Sequence, residues 1–322
     1  MISPLRYPGG KTRAIKHILP HFPADVKRVC SPFLGGGSLE ITLAQKGVKV
    51  YGYDLFWPLY NFWYCAAKHK KELMEQINKL KPTIVPAPQG AKAPKRHRLG
   101  KEKFIQLRAL LGVYQHHRAT NPTYAAYYYA INRASFSGAT LSGGYSKEAD
   151  AKRFNEKAIK RLCNFKEPNL KVGFLSFEDS LEKHKNDFLY LDPPYYLDSK
   201  SRLYGVSGDL HQGFEHDKLH SILTNRTGWI MSYNDCENIR QLYKDYDIIE
   251  ADWAMGMKNA ISPQEARVNE IFRSVLQEIA EKKDQYKINS DELNEWEKRG
   301  KEILEKLKKP QGKSSEILIM AK

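Results

Sequence analysis

The residues most able to do chemistry stand at the end of a short apolar run. Phe188, Leu189, Tyr190 and Leu191 lead directly into Asp192-Pro193-Pro194-Tyr195. An apolar run of this length reads as a buried strand. The two prolines supply no backbone N–H and fix the chain direction, so the strand ends there. Its tip then offers one carboxylate, a pair of carbonyls that no local N–H can claim, and an aromatic face. Taken alone, such a tip reads equally as a strand terminator followed by a turn, and the rest of the chain has to choose.

Three further patterns bear on that choice. Gly9-Gly10, in the opening Tyr7-Pro8-Gly9-Gly10-Lys11, lets the backbone approach a ligand closely, and Lys11 offers a point charge for a carboxylate or phosphate. The upstream glycine of a phosphate-binding P-loop is missing, and by itself the motif is also a simple turn before a helix. Ser31-Pro32-Phe33-Leu34-Gly35-Gly36-Gly37-Ser38 lies between a predicted strand, Val26 to Cys30, and an amphipathic helix running through Gln45. Strand, glycine loop and helix together aim backbone N–H groups and a positive helix end at a bound ligand. A second predicted strand, Val48 to Tyr53, ends in Asp54, placed to take both hydroxyls of a ribose. The glycine loop and Asp54 together predict a nucleoside-bearing cofactor at the carboxyl ends of a parallel sheet.

Holding those ends in register takes more strands, and the pattern predicts them at Lys171 to Leu175, Trp229 to Tyr233, Tyr246 to Ala251 and Glu316 to Ala321. The last two predict an antiparallel hairpin at the sheet edge. Trp57 to Leu80 reads as helical, its aromatic residues as core. Phe104 to Leu162 is helical on both sides of an irregular stretch, Ile131 to Ser146, of a composition that suits an adaptable surface touching bases. Lys81 to Lys103 combines prolines with Lys92, Lys95, Arg96, Arg98, Lys101 and Lys103, and is expected to be a basic loop near nucleic acid. Asp198 to Phe214 is placed to act as a lid. Residues 262–313 carry two apolar stripes at helical spacing, are nearly charge-balanced, and suit packing or protein contact.

Composition sets the outer bounds. Lys and Arg number 52 against 37 Asp and Glu, a formal charge of +15, which favours a polyanionic partner, with DNA or RNA ahead of a membrane. The first ten residues hold no signal-peptide core and no stretch approaches a membrane span, so no membrane association is expected. Cys30, Cys65, Cys163 and Cys236 are scattered without a CxxC pair, so they read as free thiols in a reducing compartment and no metal is expected.

In order along the chain, YPGGK (Tyr7 to Lys11), SPFLGGGS (Ser31 to Ser38), Asp54, INR-x-x-F-x-G (Ile131 to Gly138), DPPY (Asp192 to Tyr195) and a final EILI strand resemble the Dam-like, D12 class DNA adenine-N6 methyltransferases in their α arrangement. The resemblance covers residue 1 to about 252 and the last strand. It implies an α/β fold: a Rossmann-like sheet formed by residues 1–68, 164–261 and 314–322, a mostly helical DNA-recognition insertion at 69–163 with a basic loop at 82–103, and a helical insert at 262–313. It implies S-adenosylmethionine as cofactor, held by Tyr7, Gly9, Gly10, Lys11, Phe33, Gly35, Gly37, Asp54, Phe177 and Asp192. Lys11 would pair the methionine carboxylate. Where the family often has Asp-Phe before DPPY, this chain has Ser176-Phe177, so Phe177 can stack while the contact of the family's Asp to the adenine falls to Glu178 or Asp179 as substitutes.

The resemblance further implies double-stranded DNA as substrate and a prokaryotic or phage-encoded, cytoplasmic protein. An adenine amine is a poor nucleophile because its lone pair is delocalised into the ring. Asp192 and the Pro193 carbonyl can take its two N–H bonds, Pro194 ends the strand, and Tyr195 offers a face to a base that has left the duplex. Arg133, Phe136, Ser137, Arg96 and Arg98 are the expected DNA contacts, with Arg153 a further basic candidate. Relatives that read GATC carry an Arg after the INR stretch; Leu141 stands there in a gapless alignment, which argues against a GATC target. Cytosine-N4 methylation and a DNA-binding protein without catalysis are the alternatives.

Overall fold

The computed structural model describes residues 3–80, 99–114, 118–196, 214–250 and 316–321. Seven strands are present: β1 (Arg28–Ser31), β2 (Lys49–Tyr53), β3 (Leu170–Gly173), β4 (Phe188–Leu191), β5 (Trp229–Asn234), β6 (Asp247–Glu250) and β7 (Glu316–Met320). They form one sheet in the order β3-β2-β1-β4-β5-β7-β6. The first five pair in parallel, while β7 lies antiparallel between β5 and β6. This is the Rossmann-like α/β sheet that the resemblance implied. The expected edge hairpin is the β6–β7 pair.

Burial on both faces explains why these strands are short continuous apolar runs. Val29, Val50, Tyr190, Ile230 and Leu318 pack into the core on one face of the sheet. Their sequence neighbours Cys30, Leu189, Leu191, Met231, Ile317 and Ile319 pack into the core on the other. The alternation follows from the two-residue period of a strand.

Among the described residues eleven α-helices surround the sheet: α1 (Ile15–Ile18), α2 (Ser38–Gln45), α3 (Trp57–Lys68), α4 (Lys70–Lys79), α5 (Lys101–Tyr114), α6 (Pro122–Ala134), α7 (Lys147–Arg153), α8 (Glu156–Cys163), α9 (Phe177–Lys183), α10 (His216–Thr224) and α11 (Glu237–Leu242). The helical stretch predicted from Trp57 to Leu80 is two helices, parted at His69. The start of α6 is signalled locally: the Asn121 side chain caps Thr123 N–H at 2.8 Å, and Pro122 occupies the first turn. Asn61 on α3 then grips the Asn121 backbone through both its amide groups, at 2.8 and 3.0 Å.

Two expectations are corrected here. Lys101 and Lys103 belong to α5 and not to a loop, and the turn before it is fixed by the Asp150 carboxylate, which accepts Leu99 N–H at 2.7 Å and Gly100 N–H at 2.9 Å. Ile131 to Ala134 complete α6 and are not irregular. The rest of the basic loop with Arg96 and Arg98, most of the lid, and residues 262–313 lie outside the described residues. No helix among the described residues is long and apolar enough to cross a membrane.

Candidate active site

The sheet order reverses between β1 and β4, and a crevice opens there beyond the carboxyl ends of the strands. A cavity of about 440 Å³ occupies it, lined by the glycine loop after β1, Asp54 after β2 and the Asp192–Tyr195 tip after β4.

At its floor lies a buried ionic cluster. Lys11 Nζ donates to Asp192 Oδ1 at 2.7 Å, to the Gly9 carbonyl at 3.0 Å and to the Tyr195 hydroxyl at 2.9 Å. Glu316 Oε1, from the first residue of β7, is 3.3 Å from the same nitrogen and accepts the Tyr195 hydroxyl. Ser232 on β5 adds a hydrogen bond to Asp192 Oδ1 at 3.1 Å. An ammonium has three donors, and all of Lys11's are engaged within the protein. Lys11 lines the cavity, and within the protein its donors hold Asp192, Gly9 and Tyr195 in place. Burial drives the Asp192 carboxyl above the usual range, Glu316 adds to this, and Lys11 only partly offsets it. Burial alone would lower Lys11, but the charges of Asp192 and Glu316 outweigh it and raise its pKa.

The wall opposite is the glycine loop. Tyr7 packs on it so closely that a Cβ on Gly36 would lie 2.6 Å from Tyr7 Cβ, and one on Gly35 2.9 Å from the ring. Gly35 and Gly37 also take left-handed backbone, at φ 48° and 63°. Trp63 on α3 donates to the Gly35 carbonyl at 3.0 Å and so pins the loop from beneath. Tyr7 thus serves first to shape this cradle. Asp54 Oδ2 accepts Gly35 N–H at 3.0 Å and its Oδ1 accepts Phe56 N–H at 2.9 Å, which aims the carboxylate at the cavity. Burial pushes that carboxyl up to about 6, against the two backbone bonds.

Three phenylalanines close the remaining side: Phe33 lies 5.9 Å from Phe177 and 5.5 Å from Phe214, and Phe177 lies 5.4 Å from Phe214. The rings pack on one another and give the cavity an aromatic wall on which a flat ring can stack. Among the described residues no group of His, Cys, Asp and Glu could hold a metal ion.

The INR-x-x-F-x-G stretch sits at the mouth. Asn132 accepts Arg6 N–H at 3.0 Å and donates to the carbonyls of Arg6 and Gly138 at 2.6 and 3.1 Å. At Gly138, φ is 81° and a Cβ would lie 2.4 Å from the Arg6 carbonyl, so no larger residue fits. The motif ties the N-terminal loop to α6. Phe136 stays 59% exposed, and Ser137 follows it on left-handed backbone at φ 51°. Arg133 does not fit the DNA-facing part expected of it: it is 5% exposed and its Nε donates to the Arg153 carbonyl at 2.8 Å. Arg153 is exposed, and Arg6 nearby is held down to about 10 by burial and by repulsion from Arg133 and Arg153. No carboxylate pairs with these three among the described residues, an arrangement suited to an anion.

Sequence reasoning missed Glu316, Ser232, Glu40, Phe214 and Arg6. Only Glu316 and Arg6 carried a local signal, a charge opening an apolar strand and a charge beside YPGGK. Residues 7–257 match the family of D12 class N6 adenine-specific DNA methyltransferases. A Type II methyltransferase of Lactococcus lactis subsp. cremoris, M1.LlaDCHI, is 22% identical over 273 residues, covering 79% of this chain and 89% of that protein.

Proposed function

Since the chain belongs to the D12 class of N6 adenine-specific DNA methyltransferases and transfers a methyl group to adenine N6 in DNA, we propose that its donor is S-adenosylmethionine and that its target is an adenine turned out of duplex DNA into the cavity beside Asp192. The observation that carries this reading is the placement of Asp192: both of its partners among the described residues sit on Oδ1, which leaves Oδ2 for the substrate amine.

The cavity fits such a donor in chemistry as well as size. It pairs a cradle that a single Cβ would fill with a carboxylate, Asp54, held only by backbone N–H groups. When bound, S-adenosylmethionine supplies an electrophilic methyl group on a sulfonium. Asp54 would accept the ribose hydroxyls, and the wall of Phe33, Phe177 and Phe214 would offer the adenine ring a face to stack on. Asp192 Oδ2 and the Pro193 carbonyl accept the two N6 hydrogens and localise the nitrogen lone pair. Positioning of this kind supplies much of the rate in a direct transfer. The raised Asp192 carboxyl is also suited to take the proton that N6 sheds. Tyr195, fixed by Lys11 and Glu316, presents its ring to the everted base. Phe136, Ser137 and Arg153, within a DNA-recognition insertion between β2 and β3, face the duplex together with Arg6 from the N-terminal loop.

The test is a transfer assay with methyl-tritiated S-adenosylmethionine and duplex DNA, followed by 2-aminopurine substitution at the adenine that becomes labelled. Label in N6-methyladenine, with 2-aminopurine fluorescence rising on binding, is expected. A protein that labels no DNA from this donor, or a fluorescence that stays quenched, overturns the respective half.

Asp54 sets a pH dependence. Ribose hydroxyls favour its ionised form, so binding lowers its pKa and releases a proton. Affinity for S-adenosylhomocysteine is therefore lost as pH falls through about 6. Asp54→Asn should weaken binding about tenfold or more and remove that step, as read by calorimetric titration, because hydrogen bonds to a charged group contribute about 1.5–3 kcal/mol. Unchanged affinity in Asp54→Asn would exclude the ribose role.

A further inference from the structure

Glu40 is a buried carboxylate with no part in the chemistry above. It sits in the first turn of α2, is 3% exposed, and lines the cavity between the glycine loop and Asp192. Its hydrogen-bond partners are neutral: its own backbone N–H, and Ser31 Oγ at the end of β1, which donates to Glu40 Oε1 at 2.8 Å. Burial pushes the Glu40 carboxyl up to about 7, and the nearby charge of Asp192 adds to this, while Lys11 opposes it.

Counting charge around this end of the cavity exposes an imbalance. Among the described residues Glu40, Asp192 and Glu316 are three carboxylates arranged about one ammonium, Lys11. The donors of Lys11 are already engaged by Asp192, Gly9 and Tyr195. A buried carboxylate facing a cavity, repelled by a neighbouring carboxylate and held by a hydroxyl, favours a cationic ligand group. The cation must also donate hydrogen bonds, because Glu40 is acceptor-only when ionised.

We propose that Glu40, supported by Ser31, is the binding residue for the α-ammonium group of the methyl donor's amino-acid portion, an inference that rests on S-adenosylmethionine being the donor. Of the donor's two positive centres, the sulfonium has no hydrogen to donate, whereas the ammonium has three. Asp192 is reserved for the substrate amine, which leaves Glu40 as the acceptor for the ammonium. The product S-adenosylhomocysteine keeps the ammonium and loses the sulfonium charge. Glu40 therefore binds donor and product alike, and its removal acts on KM far more than on kcat.

Direct binding tests this without turnover. S-adenosylhomocysteine and its analogue with hydrogen in place of the α-amino group are titrated calorimetrically into the wild type and Glu40→Gln. The wild type should prefer the amino compound by about tenfold or more, as for a charge-assisted hydrogen bond. Glu40→Gln should lose that preference by weakening the amino compound alone. Equal weakening of both ligands, or an unchanged preference, overturns the assignment. If the wild type binds neither ligand, the donor assignment fails and this one falls with it. Should Glu40→Gln fail to fold, Glu40→Asp carries the comparison: its charge is kept but drawn back, so it should show a reduced preference at unchanged affinity for the deaminated analogue, and a full preference overturns the assignment.

Discussion

Asp192→Ala is expected to slow methyl transfer roughly 10³-fold while leaving the protein folded. The size of the effect follows from position. The Asp192 carboxylate lies at the open end of a buried cluster, its side chain 23% exposed, against 5% for Lys11 and 2% for Glu316. In the mechanism proposed above, removing it takes away the acceptor for the N6 hydrogen and the base for the departing proton. It does not strand a charge, because Lys11 keeps Glu316 at 3.3 Å, Tyr195 at 2.9 Å and the Gly9 carbonyl at 3.0 Å. Activity and stability should therefore separate. Asp192→Asn, which retains a carbonyl acceptor but no charge, should fall between Ala and the wild type. Single-turnover transfer at saturating donor, beside a thermal melt, reads both quantities. An Ala variant within tenfold of the wild-type rate would remove Asp192 from the chemistry.

The strands were legible because a doubly buried sheet writes itself as short apolar runs, and β4 was predicted with the residues it has, Phe188 to Leu191. Glycines and charges that interrupt those runs marked the ends where the cavity lies. Partnership was harder to read. Lys11 and Asp192 meet across 181 positions, and Tyr195 and Glu316 across 121, and no local pattern states which distant charge a lysine will meet. Lys11 was therefore read only as a group facing a ligand, and its bond to the Asp192 strand tip went unseen. Arg133 was misjudged for a related reason: Ser135 to Ser146 has no period, and that irregularity masked the last turn of α6, which turns this arginine inward. Glu40 carried no signal, because a glutamate three residues into a helix is ordinarily a solvated, dipole-favoured residue. Only the tertiary fold reveals that this helix start faces the cavity.

Lys11→Met is expected to destabilise the protein by about 3–5 kcal/mol at neutral pH, the cost of removing one partner from a buried ion pair. Here it leaves two carboxylates, Asp192 and Glu316, without the ammonium that separates their charges. The sign of the pH dependence is fixed by the same geometry. Burial, then Glu316, already raises the Asp192 carboxyl with Lys11 in place, and without Lys11 the carboxyl rises further. A folded state whose carboxyls are raised binds protons more tightly than the unfolded chain, so its stability falls as pH rises and returns as pH is lowered. The variant should thus be most impaired at neutral and alkaline pH and should approach the wild type under mildly acidic conditions. Glu316→Gln added to Lys11→Met removes the repulsion and should recover about half of the lost stability or more. Transfer should stay slow in the double variant, because Asp192 is no longer held toward the substrate amine and Tyr195 has lost its ammonium partner. Denaturant unfolding across a pH series measures the first two effects, and single-turnover transfer the third. A Lys11→Met protein as stable as the wild type at neutral pH, or one whose loss does not change with pH, would show that the cluster is not held by this charge. A double variant that regained full activity would place Lys11 in folding alone and remove it from the positioning of Asp192.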